Sequence, residues 1–252
     1  TGVADSLSGP MGATQSANVL SNDTVGATGV TITANTLRLC DTNETVPNCT
    51  ATSVTVNGGT YTASPQGVVT FTPSNGFVGT APSVTYQATT NTNQTVSGTV
   101  EGHVIAPPVL TPDASTGAYN TAQSANLLTG DSATAGTTLV SSSLKLCDPT
   151  TSTPQVAPNC LATTVTIPGE GTYTLSGTTV TFTPVASFTG AATPLNYSVA
   201  DALGQVSQAN YTPTVSAPPV PSISADVLAA PMGVVSTVDV LANDTVGATG
   251  VV

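Results

Sequence analysis

Apolar residues alternate with polar ones along most of this chain, the two-residue period of a strand that buries one face. Through the first hundred residues the runs are Val30/Ile32, Leu37/Leu39, Val54/Val56, Val69/Phe71 and Val84/Tyr86/Ala88, with a weaker stretch near 96–104. Leu144/Leu146, Val165/Ile167, Val180/Phe182 and Leu195/Tyr197/Val199 repeat them further on. Turn formers separate the runs, among them Asn57-Gly58-Gly59, Ser74-Asn75-Gly76 and Pro168-Gly169-Glu170-Gly171. About seven short strands in about 110 residues describe a sandwich. The pattern predicts an all-β protein made of tandem Ig-like antiparallel β-sandwich domains.

The runs recur because the sequence does. Leu-Arg-Leu-Cys-Asp at 37–41 returns as Leu-Lys-Leu-Cys-Asp at 144–148, and Gly-Thr-Tyr-Thr at 59–62 returns at 171–174. Thr-Phe-Thr-Pro at 70–73 returns at 181–184, and Ala-Pro-Pro-Val at 106–109 returns at 217–220. Offsets of 107 to 112 residues exceed a solenoid period and match a whole small domain. Asn-Asp-Thr-Val-Gly-Ala-Thr-Gly-Val at 22–30 reappears unchanged at 243–251, which points to a double period of 221 residues beneath the first. The expected domains are 1–108, 109–220 and the start of a third repeat, truncated, at 221–252. Paired prolines near 105–112 and 215–221 fix φ and remove donors, so the linkers are expected to be short and stiff. The third segment is too short to bury a core alone. Either it is cut there or a neighbouring chain adds the missing strands.

Composition agrees with strands and narrows the compartment. Roughly a fifth of the residues are Thr, whose branched side chain suits a pleated surface better than a helix. The net charge of −11 reflects 13 acids against only Arg38 and Lys145. Without clustered cations the chain has no means of binding nucleic acid or an anionic membrane surface. No stretch is apolar for long enough to predict membrane insertion. Each copy carries its own pair of cysteines, Cys40–Cys49 and Cys147–Cys160, which read as one intradomain disulfide each and hence an extracellular, oxidising setting. The only histidine, His103, cannot complete a zinc set with two thiols.

The order of motifs is more specific still. Ala-Asn-Val-Leu-Ser-Asn-Asp-Thr at 17–24 and Val-Asp-Val-Leu-Ala-Asn-Asp-Thr at 238–245 resemble the opening strand of tandem bacterial adhesin repeats. The second copy continues with Ile-Pro-Gly-Glu-Gly-Thr-Tyr at 167–173, Val-Thr-Phe-Thr-Pro at 180–184, Phe-Thr-Gly at 188–190 and Tyr-Ser-Val-Ala-Asp at 197–201. That series resembles the CshA-type fibril repeat. The first copy is looser, with Asn57-Gly58-Gly59 in place of the Pro-Gly-Glu-Gly turn. The resemblance covers both full copies and the fragment. It implies surface fibrils of Gram-positive bacteria, in which repeats form a stalk that carries a separate adhesive tip. The cysteine pairs and the scarcity of charge depart from the usual family pattern.

Candidate chemistry is thin. His103 beside Glu101 is unrepeated, since the second copy has Thr214 there, and it reads as an exposed residue at a domain edge. No tuned partner for acid–base work and no nucleophile elbow or phosphate loop occurs, so no catalytic residue and no enzyme is expected. Asp5, Asp113 and Asp226 recur after each joint, and Asp23, Asp131 and Asp244 at the end of the opening strand. Carboxylates so placed are weak candidates for calcium. Capping of local turns is the plainer reading, because Thr-Val-Gly-Ala rather than further acids follows Asn-Asp. Arg38 with Asp41, and Lys145 with Asp148, read as exposed ion pairs. Arg38 also excludes a Lys–Asn isopeptide cross-link from the first copy. Tyr61/Tyr173, Phe71/Phe182, Phe77/Phe188 and Tyr86/Tyr197 recur as core, and the lack of tryptophan weakens a carbohydrate site.

The sequence thus predicts a structural stalk segment of an extracellular bacterial surface fibril or giant adhesin. Its partners would be neighbouring repeats and, in a filament, identical chains. An adhesive module contacting host protein or glycan is one alternative. A self-assembling filament subunit completed by strand addition is the other.

Overall fold

The computed structural model describes residues 1–247, so the last five residues of the expected third repeat lie outside the described residues. The first repeat is built from β1 (Asp5–Pro10), β2 (Gln15–Asn18), β3 (Ile32–Leu39), β4 (Ser53–Val56), β5 (Gly59–Ala63), β6 (Val68–Pro73), β7 (Gly79–Thr80), β8 (Val84–Thr90) and β9 (Thr95–Ile105). The second repeats the series as β10 (Asp113–Gly117), β11 (Gln123–Asn126), β12 (Leu139–Leu146), β13 (Thr164–Ile167), β14 (Gly171–Ser176), β15 (Thr179–Pro184), β16 (Gly190–Ala191), β17 (Leu195–Asp201) and β18 (Val206–Val215). Two compact units result: Thr1–Val109 with Ser132–Val140 and Ala200–Ser207, and Leu110–Asp131 with Ser141–Val199 and the described residues from Gln208 onward.

Each repeat has two sheets. In the first, the order β1-β9-β8-β3, with the short β7 also on β9, faces β2-β6-β5-β4. In the second, β10-β18-β17-β12, with β16 on β18, is matched by β11-β15-β14-β13. Alternation turns one face of each sheet inward, broken in β8 and β17, where three consecutive residues are buried. Leu7, Leu37, Leu39, Val84, Tyr86, Val100 and Val104 from one sheet meet Val54, Tyr61, Val69 and Phe71 from the other. Burying each such side chain contributes about 1.5–3 kcal/mol. Tyr61 and Phe71 lie opposite one another on neighbouring strands with ring centroids 4.7 Å apart, as do Tyr173 and Phe182. Gly59 and Gly171 begin the strands that carry those tyrosines, and a Cβ at either would strike the Phe ring and a strand carbonyl.

Nine strands per repeat exceed the seven or so expected, for a physical reason. β1 offers only Leu7 as a large apolar residue and β7 is two residues long, so neither shows a period. The ladder also contains one parallel pair in each repeat. β1 runs beside β9, from Asp5↔Val100 to Pro10↔Ile105, and β10 runs beside β18, from Asp113↔Tyr211 to Gly117↔Val215. The first and last strands of a repeat are therefore direct neighbours.

Residues 221–247 form no named strand, only the isolated bridge Ser222↔Thr245. Ile223, Val227, Leu228 and Val235 are exposed there. In the complete repeats β1 pairs with β9 and β2 with β6, both later in sequence. The matching stretches of the third segment have no such partner among the described residues.

Candidate functional site

The aspartates that recur in the sequence come together around a tyrosine. Tyr86 projects from β8, and its hydroxyl lies 3.0 and 3.1 Å from the two Asp23 carboxylate oxygens. The carbonyls of Val3 and Val19 are each 3.0 Å from the same hydroxyl. Asp23 Oδ1 also accepts the Val3 N–H at 2.7 Å, while Asp5 Oδ1 accepts the Asn22 amide at 3.0 Å. The second repeat rebuilds the arrangement. Tyr197 Oη lies 2.8 Å from Asp113, 3.2 Å from Asp131 and 3.2 Å from the Thr111 carbonyl. Asp131 Oδ1 accepts the Thr111 N–H at 2.8 Å. In the third segment Asp244 Oδ1 accepts the Ser224 N–H at 2.8 Å, and Asp226 is exposed.

The bonds Asp23–Val3, Asp131–Thr111 and Asp244–Ser224 each span 20 residues. These carboxylates thus cap backbone donors, but distant ones rather than those of their own turn. Each complete cluster fastens the residues before the first strand, the turn after the second strand and the central strand into one knot. One hydroxyl has a single proton to give, so acceptors outnumber donors, and Asp5 Oδ2 is buried without a hydrogen-bond partner among the described residues. Burial raises the Asp5 and Asp113 carboxyls above their ordinary value near 3.8, the second carboxylate of each knot adding to it and the hydrogen bonds from Asn22 to Asp5 and from Tyr197 to Asp113 opposing it. Burial and the adjacent carboxylates push the Tyr86 and Tyr197 hydroxyls far up, so both remain protonated donors. Among the described residues, no group of three or more His, Cys, Asp or Glu side chains is arranged to hold a metal ion.

The second repeated feature is the stapled loop. Cys40 joins Cys49 and Cys147 joins Cys160, closing separations of 9 and 13 residues. Sequence reading missed what fills these loops. Glu44 accepts the N–H groups of Asp41 at 3.0 Å and Thr50 at 3.2 Å, plus the Thr50 hydroxyl at 2.5 Å. Gln155 takes the same part in the longer loop, its Oε1 accepting from Leu161 N–H at 3.0 Å and Asp148 N–H at 3.3 Å. A Glu in one copy and a Gln in the other gave no visible repeat, because the loops differ in length.

Other expectations change. Arg38 forms no ion pair with Asp41: its guanidinium donates to the carbonyls of Leu37 at 2.7 Å and Asn35 at 3.3 Å. Asp41 and Asp148 instead cap the N–H groups of Thr42 and Thr150. A guanidinium on a β-edge finds carbonyls nearer than a flexible surface carboxylate. His103 is half-buried within β9, between β1 and β7, with Nδ1 3.0 Å from the Thr80 hydroxyl, and not at a domain edge.

Comparison with known proteins follows the repeats. The family model described as the surface adhesin CshA repetitive domain matches twice, at residues 1–104 and 106–215. No curated protein matches the chain. Among solved structures, the I-band fragment I67-I69 from titin is 12% identical with a TM-score of 0.32, covering 87% of this chain and 65% of its own. The human desmocollin-1 ectodomain is 7% identical with a TM-score of 0.31, covering 88% of this chain and 41% of its own. DIP-gamma IG1+IG2 is 10% identical with a TM-score of 0.32, covering 85% of this chain and 94% of its own. At those scores the likenesses carry no functional weight.

Proposed function

The chain belongs to the surface adhesin CshA repetitive-domain family, and from that premise we propose that it is a stalk segment of an extracellular bacterial surface fibril, holding a tip domain away from the cell. One observation supports this reading above the rest: the first and last strands of each repeat pair in parallel. Tension that enters at the start of the first strand and leaves at the end of the last loads that ladder in shear. Its hydrogen bonds must then fail together rather than one at a time. The tyrosine–aspartate knot lies beside the start of the same strand and ties it to the central strand. Such a part needs no catalytic group, and its standing partners are the neighbouring repeats. Varying the number of repeats in the full-length protein tests the stalk directly. Fibril length measured by electron microscopy should rise linearly with repeat number while tip binding persists; a length independent of repeat number sinks the proposal.

A filament subunit is the second reading, favoured by the apolar side chains that 221–247 leaves exposed. Light scattering on the purified chain distinguishes it, because a strict monomer at all concentrations removes this reading and leaves the stalk intact.

A further inference from the structure

The two repeats differ at one matched position on the free edge of a sheet. β3 and β12 each close a sheet, so one side of either backbone lacks a neighbouring strand. Outward-facing backbone groups recur at every second residue of such an edge. Leu39 and Leu146 face outward, and each exchanges N–H and C=O bonds with an alanine, Ala51 and Ala162 respectively. Two residues earlier the copies diverge. In the first, Arg38 turns over the edge and caps the carbonyls of Leu37 and Asn35. An occupied edge of this kind resists a further strand.

The second repeat has Lys145 in that place, half-buried and, among the described residues, without a hydrogen bond or ion pair, and no further strand of the described residues lies beside β12 on the Leu144 edge. A cleft of about 350 Å³ opens there, lined by Leu144 and Leu175 together with Ser141, Thr163, Thr178 and Lys145. We propose that this edge is a docking site for an extended acidic peptide of a partner protein, which adds as a further strand to β12 and sets a carboxylate against Lys145. Backbone ladder bonds would supply affinity for any extended chain. The lysine would select for an acid. Complementarity is local to Lys145, and a short peptide that brings one carboxylate there meets less like-charge repulsion than a second copy with its net charge of −11.

The test uses the whole chain and three labelled nine-residue peptides of alternating Thr and Val, with Glu, Gln or Lys at the centre, followed by fluorescence anisotropy. The Glu peptide should bind saturably, at least tenfold more tightly than the Gln peptide, and the Lys peptide should not bind. Lys145→Glu should invert that order. Lys145→Arg is the sharper variant: it keeps the charge, but its guanidinium should fold onto the edge carbonyls as Arg38 does and lower affinity tenfold or more. Conversely, Arg38→Lys should create a second site. Unchanged melting midpoints exclude misfolding as the cause of any loss. Equal binding of the Glu and Gln peptides, no saturable binding by the wild type, or self-association of the chain abolished by Lys145→Glu would each overturn the proposal.

Discussion

At the scale of single residues, the tyrosine hydroxyls of the two knots are the most consequential atoms outside the core. Tyr86→Phe or Tyr197→Phe keeps the ring but leaves carbonyl and carboxylate oxygens without their donor. Either should cost about 1–3 kcal/mol in chemical denaturation. Acid should act in the opposite direction. The Asp5 and Asp113 carboxyls lie above their ordinary value near 3.8 in the folded state, so folding favours their protonated form. Their contribution to stability is full below the unfolded value and is lost as pH rises through the raised folded value. Glu44 runs the other way: the Thr50 hydroxyl first, then backbone N–H groups, hold it below its ordinary 4.5, so its contribution is lost as pH falls through its lowered folded value. The melting midpoint should therefore rise as pH falls from neutral through the raised Asp5 and Asp113 values and turn over at still lower pH, and Asp5→Asn with Asp113→Asn should flatten the rise. EDTA followed by excess Ca²⁺ should leave the midpoint where it was, because a cation that mattered would shift it. The recurrence of these aspartates was plain in the sequence. Their partners were not, since a bond across 20 residues leaves no local signature.

Elements were legible in proportion to how many large apolar residues they bury. β6, β8, β15 and β17 each carry two or more such residues at alternate positions and could be read directly. β1 and β7 could not, because pairing with β9 rather than side-chain pattern makes them strands. The stapled loops belong to this scale. Closing short loops restricts the unfolded chain by about 3 kcal/mol each, so reduction should lower the denaturation midpoint of both repeats. Glu44 organises one loop through both acceptor oxygens, and Gln155 fills the matching place in the longer loop with a single accepting oxygen. Glu44→Gln should lower the melting midpoint, because one accepting oxygen becomes an N–H donor set against backbone N–H groups, and Glu44→Ala should lower it further. An unchanged midpoint in Glu44→Gln would show that neither the charge nor the second accepting oxygen holds the loop.

For the whole molecule, repetition was the clearest sequence signal and fixed the kind of protein before any site was found. The parallel closure of each repeat was not readable, because β1 and β9 lie at opposite ends of the domain and no hairpin joins them. Yet that closure carries the mechanical account. The Met11 N–H donates to Ile105, which places Gly9 and its odd-numbered neighbours with their N–H groups toward β9, and Gly117 occupies the same place in β10. Proline at Gly9 and Gly117 therefore removes a ladder donor from each clamp. The decisive measurement is single-molecule pulling of the chain through its two ends, wild type against the Gly9→Pro/Gly117→Pro variant. The wild type should give two discrete steps of about 30 nm each, from roughly 3.5 Å per residue, at a force well above the variant's. Smooth extension without steps, or steps at the same force in both proteins, would contradict shear loading of the parallel pair.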